Sequence, residues 1–159
     1  MVLRLGQKAP EFSLPDADRK VRSLGEFTKI GTVILAFFPF AFSGVCDKEM
    51  CMFRDGFGAL QGAGAQLVGV SVDSSFSLKA FAQTYNLQFP LLSDFNRQAA
   101  KLYGVLQDPW VGFDYGGVAK RSVFMVDRKG LLRYKWVADE PSYEPPYEEV
   151  ARVAARLKE

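Results

Sequence analysis

The sequence predicts an α/β fold in which helices cover both faces of a central sheet with parallel and antiparallel strands. Two patterns indicate this fold. Short apolar runs alternate with amphipathic helical stretches, as crossover units between parallel strands require. Near the carboxyl end, two strand-like segments are separated only by residues 128–130 (Arg-Lys-Gly), which indicates an antiparallel hairpin.

The first half of the chain carries four of these segments. The run VILAFF is short, apolar and rich in β-forming residues, which predicts a buried strand that ends at Pro39. Apolar residues then recur at helical spacing until a Gly-Ala-Gly sequence interrupts them, and a second buried strand and a second helix follow. The predicted elements are a strand at 33–38, a helix at 45–60, a strand at 66–72 and a helix at 77–85.

The second half adds five shorter segments. A strand edge and a helix that ends at Gly104 come first, followed by the hairpin and a closing amphipathic helix. Prolines and acidic residues between the hairpin and that helix predict a mobile surface loop at 139–149. The predicted elements are a strand at 91–94, a helix at 96–103, strands at 122–127 and 132–137, and a helix at 147–157.

Composition limits the classes of function. At 159 residues with 48% hydrophobic content, the chain suits one domain over residues 1–159. Its net charge of +2 gives no reason to expect a nucleic-acid partner. The longest apolar run, residues 33–42, is about half of a membrane span, and the amino-terminal segment lacks the apolar stretch of a secretory signal. We therefore expect no membrane association and a cytoplasmic, reducing location, where a lasting structural disulfide is uncommon.

The chain has no histidine and two cysteines. The absence of histidine excludes Ser-His-Asp and Cys-His catalysis, and two cysteines alone cannot complete a tetrahedral zinc site. We therefore expect neither a metal nor a cofactor.

Both cysteines lie at the predicted junction of the first strand and helix. Ser43 stands where a helix N-cap would stand, which places Cys46 at the third helical position, and the start of a helix stabilises an anion such as a thiolate. Each residue also has a simpler interpretation: an inert buried thiol, a plain cap for Ser43, a solvated first-turn acid for Glu49, and a strand stop for Pro39. The combined pattern Pro-x3-Ser-x2-Cys-x2-Glu is more specific than any of its members.

The stretch PFAFSGVC resembles the peroxidatic motif of peroxiredoxins, Pro-x3-Thr/Ser-x2-Cys. The resemblance extends through residues 6–16, 69–74, 89–94 and 119–130, and it maps the active-site arginine of the family onto Arg121. It implies a thioredoxin-like fold with an added N-terminal hairpin. The start of the helix is similar to the bacterioferritin-comigratory type, whereas the later half looks more like the alkyl hydroperoxide reductase E group. Ser43 replaces the more usual threonine.

The resemblance also implies a mechanism. Cys46 would attack hydrogen peroxide or an organic hydroperoxide and become a sulfenic acid, with Arg121 and Ser43 as hydrogen-bond donors. Glu49 would orient Arg121, and Pro39 would shield the sulfur from water. A dithiol reductant, such as a thioredoxin- or glutaredoxin-like protein, would restore the thiol. The aromatic loop at 107–120 would contribute to a homodimer contact beside the active site.

Cys51 has two interpretations. Residues five apart in a continuous helix are rotated by about 140° and separated by about 7.5 Å along the axis, beyond the ~7 Å limit for a disulfide. Cys51 is then either a core-facing thiol beside Met50 and Phe53, or a resolving cysteine that reaches Cys46 after the first helical turn unwinds.

Two alternatives from other classes remain open on sequence. A thioredoxin-type thiol-disulfide oxidoreductase shares the order of elements, but it uses Cys-x2-Cys and a cis-proline, where this chain has Cys-x4-Cys and Lys120-Arg121-Ser122. A non-enzymatic thiol redox sensor would need the same reactive Cys46, so the sequence does not separate it from an enzyme.

Overall fold

A computed structural model describes residues 3–158. The strands are β1 (Ser13–Pro15), β2 (Val21–Ser23), β3 (Thr32–Phe37), β4 (Ala65–Ser71), β5 (Leu91–Ser93), β6 (Leu106–Gln107), β7 (Val118–Ala119), β8 (Ser122–Val126) and β9 (Leu132–Val137). The helices are α1 (Leu24–Thr28), α2 (Val45–Gly62), α3 (Ser75–Tyr85), α4 (Gln98–Leu102) and α5 (Tyr147–Leu157). In residues 3–158, no helix is both long and apolar enough to span a bilayer.

The central sheet has the strand order β5-β4-β3-β8-β9. Strands β3, β4 and β5 run parallel to one another, while β8 pairs antiparallel with both β3 and β9. Strands β1 and β2 form a separate antiparallel hairpin near the amino terminus. The predicted mixed sheet, the carboxyl-terminal hairpin and the added N-terminal hairpin are all confirmed.

Side chains of β3 alternate between two hydrophobic cores, as the period of a strand requires. Val33, Leu35 and Phe37 pack in the core that contains residues of α1 and α4. Ile34 and Ala36 pack in the core that contains residues of α2, α3 and α5. The sheet is therefore covered by helices on both faces, as predicted.

The antiparallel pairing of β3 with β8 positions the functional site. Phe37 at the end of β3 lies opposite Ser122 at the start of β8. Since α2 follows β3 after a short turn, its first residues lie near the residue that precedes β8. This register brings Cys46 next to Arg121, which is 75 residues away in sequence.

One position of the sheet offers a direct test of this packing. A Cβ added to Gly69 in β4 would lie 2.7 Å from Cδ2 of Leu91, whereas a Cβ at Gly56 in α2 meets nothing within 4 Å. We expect Gly69→Ala to lower the free energy of unfolding by about 1–3 kcal/mol because of overpacking. The control Gly56→Ala should raise it by up to about 1 kcal/mol, since alanine favours the helix. Urea unfolding of the reduced protein measures both, and equal stabilities for the two variants would contradict the packing.

Candidate active site

The chain leaves β3, turns through residues 38–44 and enters α2 at Val45. Gly44 is the N-cap, with a φ of 83°, and no side chain bonds to the first turn as a cap. The predicted cap, Ser43, lies one residue earlier, and its hydroxyl donates to the carbonyl oxygen of Phe40 at 2.7 Å. The expectation that Ser43 caps the helix is therefore wrong, and Cys46 is the second helical residue rather than the third. Glycine adopts the left-handed conformation without a Cβ penalty, so the helix can begin directly after it.

The Cys46 thiol is completely buried and contacts a charged group. Nη1 of Arg121 lies 3.1 Å from its sulfur, and the same Nη1 donates to Oε1 of Glu49 at 2.6 Å. The side chains of Glu49 and Arg121 are almost fully buried as well. Glu49 is therefore not a solvated first-turn acid, and Cys46 differs from an inert core thiol because a guanidinium faces it.

The guanidinium of Arg121 also has a third partner, the backbone of Pro141. Its Nε and Nη2 atoms donate to the carbonyl oxygen of Pro141 at 3.3 and 3.1 Å. The segment that carries Pro141 is joined to α2 by an ion pair between Glu144 and Lys48, at 3.0 Å. From the sequence, this segment is predicted only to be a surface loop. Its contribution is a backbone carbonyl, which any residue could supply, so no pattern of residue types marks it.

The electrostatics of the site combine one cation with two acids. Burial raises the pKa of Glu49 to about 7, although Arg121 acts to lower it. Burial also raises the pKa of the Cys46 thiol, and Arg121, the Ser43 hydroxyl and the backbone of Phe40 offset that rise only in part. The Glu49 carboxylate raises the pKa of Cys46 further, because a nearby negative charge disfavours the thiolate. Burial therefore opposes the stabilisation of a thiolate that the helix start alone predicts.

Pro39 and an aromatic cluster lie beside Arg121. Pro39 is buried and shares a small cleft with Trp110 and Arg121. The ring of Phe40 packs edge-on against Trp110 and Tyr115, with centroids 5.6 and 5.0 Å apart. The sequence-predicted residues Pro39 and Arg121 thus lie together with Cys46, and the loop at 107–120 reaches the rim of the site.

Cys51 is less buried than its neighbours in the core. It lies in the same continuous helix as Cys46, is half-buried and is a free thiol. The core on this side of the sheet includes Met50 and Phe53 but not Cys51. Cys51 is therefore only partly buried and is not among the residues that form this core.

A cavity of about 430 Å³ lies elsewhere, between the N-terminal hairpin and α3. Its charged groups pair with one another, Arg22 with Asp16 and Lys79 with Asp18. Within residues 3–158, no three acidic or thiol side chains are grouped so that they could hold a metal ion.

Known proteins resemble this chain in sequence and in fold. Residues 5–135 match the AhpC/TSA family. The chain is 39% identical over 137 residues to a peroxiredoxin named bcp of Coxiella burnetii, covering 86% of this chain and 89% of that protein. It is 38% identical over 129 residues to the chloroplastic peroxiredoxin Q of Triticum aestivum, covering 81% of this chain but only 57% of that protein. The crystal structure of peroxidoxin BcpB from Mycobacterium tuberculosis superposes with a TM-score of 0.84 at 27% identity, covering 97% of each chain.

The shared guanidinium generates a prediction about titration. Glu49→Gln removes the negative charge that competes for Arg121, so the pKa of Cys46 should fall below its value in the unchanged protein. The ultraviolet absorbance of the thiolate as a function of pH, in protein that also carries Cys51→Ser, isolates this titration. Glu148→Gln, an exposed acid in the first turn of α5, is the matched control and should leave the pKa unchanged. A Cys46 pKa that stays the same or rises in Glu49→Gln would contradict the competition.

Proposed function

The chain belongs to the AhpC/TSA family of peroxiredoxins, and we propose that Cys46 is the residue on which its peroxidase chemistry takes place. Proteins of this family are thiol-dependent peroxidases, so the protein reduces a peroxide at the expense of a thiol reductant. The observation that supports the role of Cys46 is the single Nη1 atom of Arg121, which contacts both the sulfur and the Glu49 carboxylate.

The peroxide step begins with the Cys46 thiolate. Its sulfur attacks one oxygen of hydrogen peroxide or an organic hydroperoxide, an S–O bond forms and the O–O bond breaks. The leaving oxygen takes up a proton and departs as water or an alcohol, and Cys46 remains as a sulfenic acid. Pro39, which is buried beside Arg121, limits the access of bulk water to the sulfur.

The fraction of Cys46 that is ionised explains little of the acceleration of the peroxide step. An ordinary thiol with a pKa of ~8.5 is about 3% ionised at pH 7, so complete ionisation would gain only ~2 kcal/mol. Here burial raises the pKa of Cys46, which removes part of even that gain. The acceleration is therefore assigned to donors aimed at the charge that develops on the breaking O–O bond. Arg121 supplies the main donor, and the Ser43 hydroxyl becomes a second one when it turns from the Phe40 carbonyl to the peroxide.

Glu49 acts through Arg121. Its carboxylate holds Nη1 at 2.6 Å while the Pro141 carbonyl holds Nε and Nη2, so the guanidinium plane is fixed before the peroxide arrives. Preorganised donors need no rearrangement during the reaction, which is why their orientation affects the rate.

Cys51 completes the cycle in this proposal. The Cys51 thiol attacks the sulfur of sulfenylated Cys46, an S–S bond forms, the S–O bond breaks and water leaves. Both residues lie in the continuous helix α2, so the turn between them unwinds before the sulfurs meet. A thioredoxin- or glutaredoxin-like dithiol protein then reduces the disulfide by exchange.

The alternatives from other classes have less support. The relatives are peroxiredoxins rather than thiol-disulfide oxidoreductases, and Arg121, at the position compared with the cis-proline of that class, contacts the thiol. A redox sensor would use the same Cys46, but it would react once with peroxide, whereas a peroxidase turns over while reductant remains.

The substitution of each cysteine separates the two proposed roles. Cys46→Ser should abolish peroxide turnover, because the alkoxide of serine is not accessible near neutral pH. Cys51→Ser should keep the peroxide step and lose the internal disulfide. In the unchanged protein, one equivalent of hydrogen peroxide should yield a Cys46–Cys51 bond in the peptide that spans both, as mass spectrometry can detect. A persistent sulfenic acid on Cys46 with Cys51 still open to alkylation would show a one-cysteine enzyme that uses an external thiol.

A homodimer is the proposed assembly. The loop at 107–120 exposes apolar side chains beside the active site, with Val111, Phe113 and Tyr115 exposed by 55%, 60% and 44%. Such a cluster is typical of a contact surface between proteins.

The dimer can be tested with a matched pair of surface variants. Phe113→Lys places a charge in the proposed contact and should weaken dimerisation by roughly tenfold or more. Phe76→Lys is the control, since Phe76 is exposed by 70% on α3, outside this loop. Sedimentation velocity over a range of concentrations measures both. A monomeric unchanged protein, or equal effects of the two variants, would exclude this surface as the dimer contact.

A further inference from the structure

Tyr85, the last residue of α3, joins the active-site helix to the rest of the fold. Its hydroxyl donates to Oδ2 of Asp47 at 2.6 Å, and its backbone carbonyl accepts from Nη1 of Arg54 at 2.8 Å. Its ring also packs near that of Phe42, with centroids 6.3 Å apart. One residue of α3 thus contacts the turn before α2 and the first and third turns of α2.

These contacts lie at the start of the segment that must unwind for the two cysteines to meet, and just beyond its end. Asp47 follows Cys46 directly, and Arg54 lies three residues beyond Cys51. We propose that Tyr85 is a positioning residue for the resolution step: through Asp47 it keeps the first turns of α2 folded, and it thereby sets how quickly sulfenylated Cys46 reaches Cys51. This inference rests on the proposed roles of the two cysteines.

Among the described residues, the Tyr85 hydroxyl is the hydrogen-bond partner of the Asp47 carboxylate. Its Oδ1 atom is buried and has no partner among the described residues, so the Tyr85 hydroxyl is the partner of its other oxygen. Without that hydroxyl, the half-buried carboxylate would have no protein partner in the folded helix and its Oδ1 would stay unpaired, whereas water would reach both oxygens once the turn unwinds. Loss of the hydroxyl therefore favours the unwound state.

The contact is separate from the machinery of the peroxide step. Arg121 donates hydrogen bonds to Cys46, Glu49 and Pro141. Tyr85 makes no hydrogen bond with any of these four residues. Removal of the hydroxyl should therefore change the resolution step while the peroxide step stays the same. A faster resolution also leaves less sulfenic acid for a second peroxide to oxidise to sulfinic acid.

The chemistry of the affected step is balanced within the chain. Sulfenylated Cys46 and the Cys51 thiol form one S–S bond, the S–O bond breaks, and the hydroxide leaves with the thiol proton as water. If the folded helix opens and closes faster than the sulfurs condense, the rate of disulfide formation is proportional to the population of the unwound state.

The test compares Tyr85→Phe with the unchanged protein. Reduced protein is mixed with one equivalent of hydrogen peroxide, quenched with an alkylating reagent at increasing times and analysed by mass spectrometry for sulfenic acid, disulfide and sulfinic acid. Tyr85→Phe keeps the ring contacts and should form the disulfide about tenfold faster. The rate at which Cys46 is first oxidised should change by less than about twofold, and less sulfinic acid should form under excess peroxide.

Three further variants define the contact. In protein that already carries Asp47→Ala, the further change Tyr85→Phe should leave the rate of disulfide formation unchanged, because the partner of the hydroxyl is already absent. Tyr134→Phe is the control: its hydroxyl also donates to a carboxylate, Glu149 at 2.8 Å, but neither residue belongs to α2.

The outcomes that would overturn the inference differ from those that would overturn the proposed function. A disulfide that forms equally fast in the unchanged protein, Tyr85→Phe and Tyr134→Phe removes the role of Tyr85 alone. Additive effects of Tyr85→Phe and Asp47→Ala, or an equal change in the peroxide step, also remove it. Absence of any internal disulfide in the unchanged protein would overturn the assignment of Cys51 and the inference that depends on it.

Discussion

The arrangement of the site depends on one buried guanidinium. Transfer of a charged group out of water costs several kcal/mol unless partners compensate for it. Arg121 receives those partners from two separate parts of the chain: the Glu49 carboxylate on α2 and the Pro141 carbonyl before α5. Once these bonds are made, the remaining face of Nη1 points at the sulfur of Cys46. The need to satisfy a buried cation thus fixes the helix, the loop and the start of β8 relative to the thiol.

The same cation explains why a low thiol pKa is not the main source of reactivity. Glu49 and Cys46 compete for one positive charge, and both are raised in pKa by the burial that makes the site dry. A dry site also strengthens every directed hydrogen bond inside it. The structure therefore favours stabilisation of the charge that appears during the reaction over stabilisation of the thiolate beforehand.

The first turns of α2 are held on two sides that serve different steps. On one side, Arg121 contacts the sulfur of Cys46 and is itself held by Glu49, which in the proposed mechanism orients the donor that meets the peroxide. On the other side, Tyr85 bonds to Asp47 and keeps the helix wound. A peroxidase that resolves its own sulfenic acid needs a rigid helix for the first step and an unwound one for the second. Because these two sets of contacts are separate, the orientation of Arg121 and the stability of the first turns of α2 can change independently.

The sequence by itself determined the features that repeat locally. Apolar periodicity predicted the central strands and the helix at 147–157, and the spacing of the motif around Cys46 identified the family. Helix α1 and the β6–β7 pair were missed, because each contains too few residues to form a periodic pattern. Tertiary structure alone decided the rest. Gly44 rather than Ser43 is the N-cap of α2, because the chain enters the helix with a positive φ at Gly44. The upward shift in the pKa of Cys46 follows from its burial. The contacts of Arg121 and Tyr85 join residues that lie tens of positions apart, and such pairs leave no trace in local spacing.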